Sequence, residues 1–170
     1  MILWFAGTAL VAMWLTFRDP AIDHRLVVAG ALLPDAVDAP TGGVWFLHTL
    51  LFPITGLLLV MVATVGRRLL RRRLLALPIG AFWHLIFDFA FTDTSTFWWP
   101  VDGVSFGGAE LPVVERGLVF NGVLEVLGLL ALVWIARQFD LSDPQRRRVF
   151  LTTGRVDRAL TDPDRESPTC

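Results

Sequence analysis

Apolar runs cut by short charged junctions constrain this chain more than anything else in it. Met1 to Phe17 carries no charge and stops abruptly at Arg18-Asp19-Pro20. A shorter run, Leu26 to Leu33, is framed by Arg25 and Pro34-Asp35. Val44 to Val65 and Leu74 to Phe91 flank the arginine block Arg67, Arg68, Arg71, Arg72 and Arg73, and Gly117 to Ala136 leads into Arg137. A helix needs about 20 apolar residues to cross a bilayer and tolerates roughly 17, so four of these runs are expected to span. The short run, extended back to Ala21, is about 14 residues or roughly 21 Å of helix, which predicts an end inside the membrane. No basic region precedes Ile2, so the first run is expected to be a retained helix and not a cleaved signal. The predicted fold is therefore all-α: a polytopic integral membrane bundle with four long spans and one short intramembrane helix. Composition agrees, with 54% apolar and only 18% charged residues.

Basic residues near helix ends collect on the cytoplasmic side. The arginine block and the tail bearing Arg137, Arg146, Arg147 and Arg148 are expected there, which puts Trp45, Trp98 and Trp99 at the outer interface. The chain then divides into a membrane domain, 1–136, and a polar cytoplasmic tail, 137–170, the latter expected to be partly disordered because prolines 144, 163 and 168 and 13 of the 31 charged residues fall within it. The stretch from Thr92 to Arg116 reads as an outer loop. A net charge of −1 gives no electrostatic support for nucleic-acid binding, and the single cysteine, Cys170, excludes an internal disulfide framework.

An ionisable group in an apolar segment costs several kcal/mol unless it is paired, hydrated or bound. Such groups are few here: Asp35 and Asp38 in Pro34-Asp35-Ala36-Val37-Asp38, His48, His84 with Asp88, and Glu125. His84 and Asp88 are four apart and share a helix face. Under the orientation set by the arginines, Asp35, Asp38, His48, His84 and Asp88 converge in the outer half of the membrane. Two imidazoles and three carboxylates without thiolate suit zinc, manganese or iron with an open position, and Asp35 and Asp38 are the candidate catalytic bases. The plainer readings are an anchoring hydrogen bond for His48, a helix cap for Asp35 and a counter-charge for His84 in Asp88. Glu125, with Asn121 one turn earlier, reads as a hydrogen bond to a neighbouring helix or a proton-handling group. Asp93 reads as turn chemistry, and His24, on the cytoplasmic side, as a poor ligand.

At these residues the chain resembles the YdjM-like family of LexA-regulated, inner-membrane-associated metal-dependent hydrolases. The resemblance rests on Gly30-Ala31-Leu32-Leu33-Pro34-Asp35-Ala36-Val37-Asp38, on His48-Thr49, and on His84-Leu85-Ile86-Phe87-Asp88 followed by Trp98-Trp99-Pro100, over roughly Met1 to Pro100. It implies Asp35, Asp38, His48, His84 and Asp88 as the metal-site residues, zinc as the metal, and phosphoester hydrolysis as the chemistry. The expected function is hydrolysis of a phosphoester or lipid-like substrate at the extracytoplasmic face of the inner membrane, with membrane lipids as partners. The alternative is a non-catalytic membrane protein that handles metal ions or protons, or holds helices together.

Overall fold

The computed structural model describes residues 1–38, 40, 43–104 and 116–156. The described residues form helices and turns without strands. These are α1 (Ile2–Phe17), α2 (His24–Asp38), a 3-10 turn at Phe46–His48, α3 (Leu51–Ala63), α4 (Arg68–Leu74), α5 (Ala76–Phe87), a 3-10 turn at Ala90–Thr92, α6 (Thr94–Phe97), α7 (Leu118–Gln138) and α8 (Pro144–Thr153).

The all-helical expectation holds, but the four long spans do not. Among the described residues, only α7, at 21 residues, is long and apolar enough to cross a membrane. The run from Val44 yields a helix of 13 residues, roughly 20 Å, because the chain from Trp45 to Thr49 is held in a turn. There the Asp38 carboxylate accepts the Trp45 N–H, and the Thr49 hydroxyl donates to the Phe46 carbonyl. The run from Leu74 yields the 12 residues of α5, because Leu74 belongs to α4 and Phe89 turns left-handed at φ 57° just after Asp88. The first run forms a 16-residue helix, roughly 24 Å long. The second helix starts later than expected and continues through Pro34 to Asp38, so Asp35 lies within a helix and caps none.

Packing follows two glycine-paired crossings. On α2 and α5, a Cβ at Gly30 would fall on the Leu77 carbonyl oxygen and one at Gly80 on the Val27 carbonyl oxygen. On α1 and α7, Gly7 abuts the Gly128 carbonyl and Gly128 abuts the main chain at Leu3. Small residues let helix backbones touch in this way. α1 runs between the two halves, burying Phe5, Ala9, Leu10, Met13 and Trp14. Glu125 on α7 accepts the Leu3 N–H at 2.9 Å and sits 3.9 Å from the N-terminal ammonium. It thus satisfies a donor that the first turn of a helix leaves open, the hydrogen-bonding role of the two expected for it.

One end of the bundle is held by arginines. Arg73 and Arg25 both donate to Asp23, which is 1% exposed, and Arg72 pairs with Asp19. The segment expected to be a solvated tail forms α8 and returns to this end. Asp143 caps it by accepting the N–H groups of Gln145 and Arg146, and Arg25 donates to the Leu151 and Thr152 carbonyls. The main-chain N–H of His24 donates to Gly154, and Phe150 packs near the His24 and Phe139 rings. The part of the tail expected to be disordered, together with Cys170, lies outside the described residues, as does 105–115 of the expected outer loop.

The Gly80 contact yields a stability prediction. Gly80→Ala places a methyl on main-chain atoms and is expected to cost about 1–3 kcal/mol. Gly122→Ala on α7 meets nothing within 4 Å and is expected to gain up to about 1 kcal/mol of helix propensity. Thermal unfolding of the two purified variants beside wild type separates them by the sign of the shift.

Candidate metal centre

Three elements deliver the site at the end of the bundle away from Arg25, Arg72 and Arg73. α2 carries Asp35 and Asp38 in its last turn, the 3-10 turn carries His48, α5 carries His84 in its last turn, and Asp88 caps that helix. α2 and α5 run in the same direction, as the Asp23–Arg73 pair at one end and the Asp35–His84 approach at the other establish. The Gly30/Gly80 contact brings His84, one turn beyond Gly80, close enough for its Nδ1 to donate to the Ala31 carbonyl, 2.7 Å away. Since a carbonyl only accepts, His84 carries its proton on Nδ1. His48 Nδ1 lies 2.6 Å from Asp38 Oδ2 and likewise donates to it.

With both Nδ1 atoms committed, each ring presents Nε2 to the same point. The two Nε2 atoms are 3.4 Å apart, and each is 3.6 Å from Asp35 Oδ1. Zinc takes nitrogen at about 2.0–2.1 Å and oxygen at about 2.0–2.2 Å in tetrahedral sites, which sets neighbouring ligand atoms about 3.3–3.5 Å apart. The near-equilateral triangle of Asp35, His48 and His84 has that size, and these three residues could hold a metal ion. Three electron-rich atoms facing one another repel unless a cation or a proton sits among them. The proton alternative is visible at His48, in its turn outside the helices. Burial opposes its charge, but the Asp35 and Asp38 carboxylates outweigh burial and push it up to about 9.

The remaining predicted site residues divide by which way they face. Asp38, 1% exposed, lies behind His48 and accepts from its Nδ1 and from the Trp45 N–H. It orients a ring and does not meet the other ligand atoms, the outer-shell arrangement usual for metal-bound histidine. Asp88, 2% exposed, places Oδ2 3.9 Å from His48 Nε2, and that oxygen has no hydrogen-bond partner among the described residues. Its Oδ1 accepts from Arg116 Nη1 at 3.0 Å, so it does not serve as a simple counter-charge to His84. Phe5 of α1 lies over His84, ring centroids 4.1 Å apart, and shuts that side. Asp35 is the member that solvent reaches, with a quarter of its side chain exposed.

His24 is at the other end of the bundle, hydrogen-bonded through Nδ1 to the Gly154 carbonyl. Asp93 caps α6 and accepts from the Ser95 hydroxyl, as its turn sequence suggests. Nothing in the sequence around Arg116 ties it to a residue 28 positions earlier. The nearest signal is the need of a buried carboxylate for a cationic partner. No family model, curated protein or solved structure matches the chain.

The outer-shell geometry predicts a graded loss of zinc. His48→Ala and His84→Ala are expected to abolish stoichiometric binding, whereas Asp38→Asn, which keeps the shape but removes the charge behind His48, is expected to weaken it about 10–100-fold. Competition with a chromogenic chelator reads both effects.

Proposed function

We propose that the protein is a membrane-seated, metal-dependent hydrolase of phosphoester or lipid-like substrates. The observation that carries this reading is the ligand-sized triangle of Asp35 Oδ1, His48 Nε2 and His84 Nε2, open to solvent on the Asp35 side. Structural zinc sites are closed and commonly use thiolates, while sites with three nitrogen and oxygen ligands and an accessible edge are the hydrolytic kind. The resemblance to the YdjM-like family, whose motifs fall on these same residues, supports the same chemistry and zinc as the metal. When bound, the ion supplies Lewis acidity and a water of lowered pKa. The chain does the rest. His84 and His48 are held by Ala31 and Asp38 so that their lone pairs stay aimed, Phe5 closes one wall, and Asp35, a quarter exposed, is the side chain at the accessible edge.

Several features support a seat in the inner membrane. α7 has the length to cross, and it turns Leu118, Val119, Phe120, Val126 and Leu130 outward, each at least 50% exposed. α3 does the same with Leu58, Leu59 and Val62. Apolar surface of this extent marks a contact with lipid or another apolar body. The arginines of α4 and α8 gather at one end, which by the positive-inside tendency is the cytoplasmic one, with the C-terminal tail beside it and the metal centre facing outward. The reading as an ion or proton conduit is disfavoured by Glu125. Its carboxylate is committed to the N-terminus of α1, at the same end of the bundle as the metal centre, and so extends no path across the bundle.

Hydrolysis is tested on zinc-loaded protein with a chromogenic phosphodiester and with phospholipid vesicles. Turnover that disappears on chelation, returns with zinc and is abolished in Asp35→Asn and His84→Ala is the expected result. Zinc bound equally by wild type and His84→Ala, or zinc bound with no turnover of either substrate class, overturns the proposal. For orientation, an alkaline phosphatase fusion after Arg73 is expected to be inactive and a green fluorescent protein fusion there to be bright.

A further inference from the structure

Helix α5 ends in an electrostatic difficulty. Asp88 adds a carboxylate to a helix C-terminus, where unpaired carbonyls already concentrate negative charge, and it does so in a site that is 2% exposed. Arg116, in the turn before α7, meets both parts of the problem. Its Nη1 donates to Asp88 Oδ1 at 3.0 Å, its Nη2 donates to the Asp88 main-chain carbonyl, and its guanidinium lies 5.8 Å from the centroid of the Phe89 ring. The left-handed turn at Phe89 is what presents the Asp88 carbonyl and that ring to the same guanidinium. The pair is well shielded, with side-chain exposures of 17% for Arg116 and 3% for Asp88.

One donor anchors the guanidinium on the main chain while the other, fixed in the same plane, holds Oδ1, a paired geometry that a lysine ammonium does not supply. With Oδ1 and the carbonyl engaged, Oδ2 is left aimed at His48 Nε2, 3.9 Å away, buried and without a hydrogen-bond partner among the described residues. A desolvated carboxylate oxygen left in that state costs free energy unless a cation shares it.

We propose that Arg116 is a positioning residue of the metal centre. It holds Asp88 so that Oδ2, outside the group of Asp35, His48 and His84 but 3.9 Å from His48 Nε2, is poised to close on an ion held by those three. This rests on the metal reading given above and extends it to a residue outside the motifs. It also ties the centre to α7, whose first turn follows Arg116 directly.

The test uses the full-length protein, with zinc for affinity and cobalt(II) as a spectroscopic probe. Arg116→Met is expected to keep the metal-free helicity of wild type with a lowered melting temperature, because Asp88 loses its buried partner, to lower zinc affinity about 10–100-fold, and to change the cobalt ligand-field bands as one carboxylate oxygen is lost. Arg116→Lys, which retains charge and one donor, is expected to fall between. Asp88→Asn is expected to show a similar loss, and the double variant Asp88→Asn/Arg116→Met to be no weaker than Asp88→Asn alone, because Arg116 acts through Asp88. Unchanged affinity and an unchanged cobalt spectrum in Arg116→Met overturn the inference while leaving the centre intact, as do fully additive losses in the double variant. Zinc retained in His84→Ala would instead remove the metal reading on which it stands.

Discussion

The contact of main chain on main chain between α2 and α5 is the constraint on which the rest depends. Gly30 and Gly80 let the two helices close to a separation at which the Ala31 carbonyl is a hydrogen-bond partner for His84. Any side chain there would push the helices apart and break that bond first. The bond fixes the His84 tautomer, the tautomer aims Nε2, and Nε2 then shares a point with Asp35 from the facing helix. A steric fact thus becomes a chemical one within a single helical turn. The same logic governs α1 and α7 at Gly7 and Gly128, where the close approach brings Glu125 to the start of α1.

Three of the side chains at the metal centre are held from behind. Asp38 stands behind His48, the Ala31 carbonyl behind His84 and Arg116 behind Asp88. Each backing group engages the atom that faces away from the centre and leaves the inward atom without a competing partner. This is the division of labour expected where the inward atoms are reserved for an ion. It also accounts for the cost of the arrangement, since lone pairs brought together in a buried place repel until something positive joins them.

Much of the site was legible because an apolar chain makes polar residues conspicuous. Asp35, Asp38, His48, His84 and Asp88 stood out against their surroundings, and the structure gathers all five in one region. Their roles were less legible. Nothing in the spacing Asp35-Ala36-Val37-Asp38 says that one carboxylate faces the imidazoles and the other stands behind one of them, because that depends on where the 3-10 turn carrying His48 is placed. Hydropathy misjudged the helices for a related reason. It reads Val44 to Leu50 as apolar, yet the hydrogen bonds from Trp45 and His48 to Asp38 hold that stretch in a turn. Arg116 and the return of α8 were invisible, since both depend on partners far away in sequence.

The buried carboxylate Asp23 is completed by groups made at very different times. Arg25 follows almost at once, Arg73 comes fifty residues later, and the cover at Gly154, where a Cβ would collide with that carboxylate, arrives near the end. The first residues of α1 wait similarly for Glu125. In order of synthesis, Asp23 therefore has its ionic partners by α4 but its cover only with α8, and the start of α1 has its carboxylate partner only with α7. The junction at each end of α1 and α2 thus gains its last contacts from the C-terminal third of the chain.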